Sequence, residues 1–197
     1  MPLAALAFMT AVAAPATAET LNFADLAAAD GGAFNSVPSG YGGIQTWMNF
    51  GSINTTYWPS YQNTPVSGTG VLFDNYENVV TLANPTAFTI NDFYIAAANY
   101  SPSDDLTFTA YSGGTQIDTE SITVGSTPTD VVLNWSGVTS FTIATYYHGT
   151  TSPAYFGLGE MTLNGSESVP EPTTAALLGV GLAGLLGARR RKASRAK

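Results

Sequence analysis

The sequence predicts an all-β protein, a jelly roll or β-sandwich of about eight or nine strands. Three observations predict it. Short runs with alternating apolar residues recur from residue 79 to 163, separated by Gly, Pro and Ser turns. Between residues 19 and 165 no amphipathic helix of useful length can be drawn. Charged residues are only 10% of the 197, against about 25% in ordinary globular chains. Gly, Ser, Thr and Asn replace them, a composition suited to strands and turns kept soluble by hydroxyls and amides. A barrel is the alternative closure, and no repeat of solenoid period is visible.

Residues 1–18 read as a secretory signal peptide. Residues 3–14 form an almost unbroken apolar run, and Ala16-Thr17-Ala18 is an A-x-A-like cleavage site. No Lys or Arg precedes the run, so either the true start lies upstream or the free amine serves instead. The body is expected to span residues 19–164. Its first strand falls at residues 20–24, followed by a loop or one helical turn at 27–32. Residues 40–70 read as a long decorated loop with one strand near 46–50. Two strands follow, at 79–83 and 87–96, with a bulge or bend at Asn91-Asp92 where the period slips. Leu106, Phe108 and Ala110 alternate with Thr107, Thr109 and Tyr111, and Ser112-Gly113-Gly114 makes a tight hairpin turn into residues 115–124. Further strands carry Val131, Leu133 and Trp135, then Phe141 and Ile143, then Phe156, Leu158, Met161 and Leu163.

Charge is segregated. All six Lys and Arg lie between residues 189 and 197, while residues 19–168 hold thirteen Asp or Glu and no Lys or Arg. Such a body repels nucleic acid and phosphorylated ligands, so nucleic-acid binding is excluded. The bland reading of the excess is solubility. There is no cysteine, hence no disulfide, thiolate chemistry or Cys-ligated zinc.

The end of the chain is ordered in three parts. Val169-Pro170-Glu171-Pro172 closes a linker over residues 165–172. An uncharged, mostly apolar span follows at 173–188, slightly short of the roughly 20 residues that cross a bilayer comfortably. Then come Arg189, Arg190, Arg191 and Lys192 in a basic tail, residues 189–197, which the positive-inside rule places in the cytoplasm. A permanent hydrophobic-helix anchor is one reading. The three parts together resemble the PEP-CTERM sorting signal of Gram-negative bacteria that make exopolysaccharide. The resemblance implies processing by exosortase near the Pro-Glu-Pro motif, membrane anchoring through the helix before that, and an envelope, surface or biofilm-matrix destination.

The body is similar to extracellular β-sandwich domains of the galactose-binding-like type. The likeness lies in Gly40-Tyr41-Gly42-Gly43-Ile44 with Trp47-Met48-Asn49-Phe50, in residues 93–98, 109–114 and 132–135, and in the ending Phe156 to Leu163. Sugar recognition needs flat aromatic faces for the C–H side of a ring, with amides and carboxylates for its hydroxyls. Tyr41, Trp47, Tyr57, Trp58 and Tyr61 crowd one short stretch with Asn and Gln among them, and they are the expected ligand surface. The competing reading puts Trp47 and Phe50 in the core. Residues 146–149, Tyr-Tyr-His-Gly, form a second patch. The resemblance also implies a structural Ca2+, for which Asp25 and Glu160 are the expected ligands because terminal strands lie together in that architecture. Relatives usually carry Asp-Asn where this chain has Gly159-Glu160.

Enzyme signatures are poor. His148 is the only histidine, no Gly-x-Ser-x-Gly elbow exists, and Asp118 and Glu120 share a strand face that reads as exposed. The expectation is a non-catalytic, exported protein that binds glycan or exopolysaccharide. A purely structural or adhesive envelope protein is the alternative, and a glycan-cleaving hydrolase a distant third.

Overall fold

The computed structural model describes residues 18–29, 34–64, 66–75, 79–98 and 100–164. Strict alternation produces its most regular part. In β7 (Ser103–Ser112) Leu106, Phe108 and Ala110 are fully buried, while the residues between them are half-exposed. β8 (Thr115–Gly125) returns beside it in register. Gly113 and Gly114 join the two with φ of 55° and 85°, the left-handed pair a two-residue hairpin turn demands and that glycine adopts without strain.

The other strands are β1 (Glu19–Leu21), β2 (Asn35–Ser36), β3 (Thr46–Met48), β4 (Phe50–Asn54), β5 (Gly70–Asp74), β6 (Val80–Ala97), β9 (Thr129–Tyr147) and β10 (Phe156–Leu163). A short helix, α1 (Ala24–Ala29), follows β1. Among the described residues the strands form one antiparallel sheet ordered β2-β4-β5-β10-β6-β9-β7-β8, with β1 on β10 and β3 on β6. The first strand therefore lies along the last, Leu21 opposite Met161.

β6 and β9 carry the sheet over on itself. Each is long enough to pair with different neighbours along its length. β6 meets β3 near Leu82 and β10 near Ile95, and β9 pairs with β6 from Thr129 to Ile143 and with β7 from Ser140 to Tyr147. Register shifts between Ala83 and Phe88, and again between Ile90 and Asp92, bend β6. Asn134 and Gly137, at φ 53° and 72°, bend β9. Parts of the sheet that share no hydrogen bonds then face each other. Phe93 of β6 meets Phe108 of β7 at 5.1 Å and Phe141 of β9 at 6.0 Å. These rings, with Phe23, Phe50 and Phe156, are essentially solvent-free. Each contributes about 1.5–3 kcal/mol of burial energy, so the aromatic core needs no disulfide.

Several expectations are corrected. The described residues form ten strands, where about eight or nine were expected. Residues 40–70 hold the strand expected near 46–50, as β3, and beyond it β4 and the start of β5, which were not expected. The pairs of strands expected at 79–83 and 87–96, and across 131–145, are each one continuous bent strand. The bulge expected at Asn91-Asp92 is present.

The chain divides into two units at residue 165, and every described residue belongs to the first. The signal peptide up to residue 17, the sorting motif Val169 to Pro172, the span 173–188 and the basic cluster from Arg189 lie outside the described residues. Among the described residues no helix is long and apolar enough to cross a membrane.

Candidate functional site

β4 and β5 are buried on both faces. Phe50 and Leu72 point into the main core. Ile53, Val71 and Phe73 point the other way, where they form a second cluster with Tyr61 and Ala98. Gly51 leaves room for the Phe73 ring, since a β-carbon there would collide with it. The cover over this outer face is the segment between the two strands.

That segment is built from local rules. Asn54 caps a turn, its Oδ1 accepting from the Thr56 N–H at 2.9 Å and its carbonyl from the Tyr57 N–H at 3.0 Å. A 3-10 turn, Pro59–Tyr61, follows with Pro at its start, where the missing N–H costs nothing. The residue before a proline is held out of the helical region. Trp58 accordingly sits at φ −124°, ψ 80°, and its side chain remains 38% exposed. Tyr61, one turn later, drops inward against Phe73 at 5.6 Å.

A cleft of about 260 Å³ opens between this cover and the sheet. Phe34, Trp58, Tyr61 and Tyr155 supply aromatic surface, and Ser60 and Asn75 supply a hydroxyl and an amide. Phe34 stands edge-on to both Trp58 (6.4 Å) and Phe73 (6.2 Å). Burial, and then the neighbouring Asp74 charge, push the Tyr61 hydroxyl well above its ordinary pKa, so it stays a hydrogen-bond donor. Asp74 itself is buried and its Oδ1 accepts the Phe156 N–H at 2.8 Å.

The five expected aromatics divide into three groups. Trp58 and Tyr61 line the cleft. Tyr57 is 60% exposed on the turn before it and does not line it. Tyr41 and Trp47 belong to the other side of the sheet. Trp47 is 7% exposed, packs at 5.3 Å against Phe50, and donates its Nε1–H to the Tyr41 carbonyl at 3.1 Å. It is a core residue, which corrects its placement on a ligand surface. Tyr41 is half-buried beside it and donates its hydroxyl to Asp25 at 2.8 Å; burial and Asp25 raise its pKa. Phe34, Phe73 and Tyr155 were not anticipated. They are far apart in sequence and meet only through the sheet.

The two acidic residues expected to hold Ca2+ are each engaged by a hydroxyl, Asp25 by Tyr41 and Glu160 by Ser67. Among the described residues no group of three or more His, Asp or Glu gathers as a metal site. Asp118 and Glu120 are exposed on β8. His148 is exposed, and its Nδ1 lies 2.7 Å from Asp105 Oδ1. Asp105 also accepts from the Thr123 hydroxyl at 2.6 Å and the Gly149 N–H at 2.9 Å. The Thr123 hydroxyl, then the Gly149 N–H and then His148 hold its carboxyl down at about 2. The Tyr-Tyr-His-Gly patch is therefore a pinned hairpin end.

The tail carries a PEP-CTERM protein-sorting motif, matched over residues 168–192. Among curated proteins nothing matches the chain. Two solved structures bear a distant likeness to the body. One is CBM51 from Clostridium perfringens GH95 in complex with methyl-galactose, at 9% identity and a TM-score of 0.34, covering 66% of this chain and 86% of that one. The other is TmCBM61 in complex with beta-1,4-galactotriose, at 10% identity and 0.32, covering 65% and 97%. At such scores neither neighbour bears on what this chain binds.

Proposed function

We propose that this chain is exported, sorted and processed through its PEP-CTERM tail, and that its β-body is a non-catalytic glycan binder. The ligand class is a neutral or cationic surface polysaccharide, since an anionic one would meet a body without Lys or Arg. The observation that carries this reading is the cleft over β4 and β5. Trp58 offers a partly exposed indole, Tyr61 and Tyr155 flank it, and Ser60 and Asn75 add a hydroxyl and an amide to the wall. That is an apolar hollow with a few convergent polar groups. The site replaces the one expected from sequence: Trp58 and Tyr61 stay, Tyr41, Trp47 and Tyr57 drop out, and Phe34 and Tyr155 join. A glycan array probed with the full chain and with Trp58→Ala tests it. Retention lost in the variant supports the cleft; equal retention by both removes it.

A structural or adhesive role is the second reading, and β8 favours it. Among the described residues this strand ends the sheet on one side, exposed on both faces from Thr115 to Ser121, a template for pairing with another strand. Asp118 and Glu120 on that edge oppose pairing between copies. Sedimentation of the full chain separates the readings, since edge pairing requires association that rises with concentration.

A further inference from the structure

The Pro59–Tyr61 turn has a hollow on each side. One is the aromatic cleft. The other, of about 290 Å³, is lined largely by polar side chains, among them Gln62, Asn63, Thr64, Tyr100 and Ser101. Ser60 belongs to the walls of both. Each alone falls short of the roughly 300–1,000 Å³ of a small-molecule site, and only together do they reach it.

The second hollow has a prepared floor. Ser101 is 6% exposed and its hydroxyl lies 2.6 Å from Asp104 Oδ1. Asp104 is fully buried on the inward row of β7, in line with Leu106 and Phe108. A carboxylate in such a row costs free energy that an apolar residue would not. Asp104 and the Ser103 carbonyl, at 3.1 Å, both draw on the Ser101 proton, which leaves the serine oxygen in the wall of the hollow as an acceptor. Above that floor Gln62 and Asn63 are exposed amides and Tyr100 is an 81% exposed ring. Donors, acceptors and one flat face recur here in a different proportion from the aromatic cleft.

We infer that the polar hollow is a second sugar subsite, joined to the aromatic cleft across Ser60, so that the ligand is an oligosaccharide stretch of at least two units rather than a single terminal sugar. This rests on the glycan-binding reading above. One unit stacks in the aromatic cleft. The next places its hydroxyls on Gln62, Asn63 and Ser101. The ligand crosses at Ser60, the wall residue that the two hollows share.

The test is calorimetric titration of the full chain, in a detergent without a sugar headgroup, with cello-, galacto- and manno-oligosaccharides of one to four units. In the series that binds, affinity rises at least tenfold from one unit to the length that spans both hollows. The variant Gln62→Ala/Asn63→Ala, altered only at exposed positions, returns the longer ligand to the affinity of the single sugar and leaves the single sugar unchanged. Ser101→Ala repeats the loss in a second background. An affinity that does not change with length, or a gain with length that survives in both variants, overturns the second subsite; Trp58-dependent binding of the single sugar then leaves the aromatic cleft standing. No binding by any sugar of any length overturns both.

Discussion

Asp104→Asn isolates the cost of the buried carboxylate. Asp104 is 0% exposed, and its Oδ2 has no hydrogen-bond partner. Burial raises its pKa, the Ser101 hydrogen bond works against that, and the adjacent Asp105 charge adds to it. The folded state thus holds this proton more tightly than the unfolded chain does. Stability is greatest when the group is protonated in both states. It declines as pH rises from about 3.9, the unfolded value, and the loss is complete once pH passes the folded pKa. An unpaired buried polar atom costs about 1–3 kcal/mol, more when charged. Asparagine keeps an oxygen for Ser101 but leaves an amide in place of Oδ2, so the net gain near pH 7 is at the low end, about 1 kcal/mol. For a domain of this size that is a rise of roughly 2–4 °C in Tm. Thermal melts of both proteins at pH 7 and pH 3 provide the assay. The variant melts higher at pH 7, and the gap closes at pH 3. A variant that melts lower at pH 7, or a gap that is the same at both pH values, refutes the assignment of strain to the Asp104 charge.

The neighbouring carboxylate behaves oppositely. Asp105, held at about 2 by Thr123, Gly149 and His148, contributes stability above its unfolded pKa that is lost as pH falls through about 2; Asp105→Asn lowers Tm at pH 7, and the deficit shrinks between about pH 4 and 2. Trp58→Ala changes stability by no more than about 1 kcal/mol, while Trp47→Ala costs about 3–5 kcal/mol; chemical denaturation separates them, and only the first variant is a clean probe of binding. Mass spectrometry of the mature protein finds a C-terminus near Pro172, and an intact Lys197 would show that the tail is retained.

Legibility varied with the physical origin of each signal. The β7–β8 hairpin was readable because one face is core and the other solvent, which leaves strict alternation in the sequence. β4 and β5 were unreadable for the opposite reason. Phe50-Gly51-Ser52-Ile53 and Val71-Leu72-Phe73 are buried on both faces, so no alternation survives, and small residues such as Gly51 look like loop when they are clearance for a ring. β6 and β9 each read as two strands because their bends fall at Pro85 and Gly137, residues that usually end strands. The site divides in the same way. Trp58 before Pro59 was legible as exposed from two adjacent residues. Phe34 and Tyr155 approach it only after β4, β5 and β10 have paired. Trp47 shows the limit: its burial follows from rings at positions 23 and 50, one of them in another element.

The outward faces of this sheet are solvated by hydroxyls, as where Thr107 meets Ser121 at 2.9 Å across β7 and β8, and not by ammonium or guanidinium groups. A trypsin-like protease cuts only after Lys or Arg, and the first of these in the chain is Arg189. The body therefore offers such enzymes no scissile bond whether it is folded, frayed or fully unfolded. Its resistance to that whole class of extracellular proteases is written in composition, and would persist after the fold is lost.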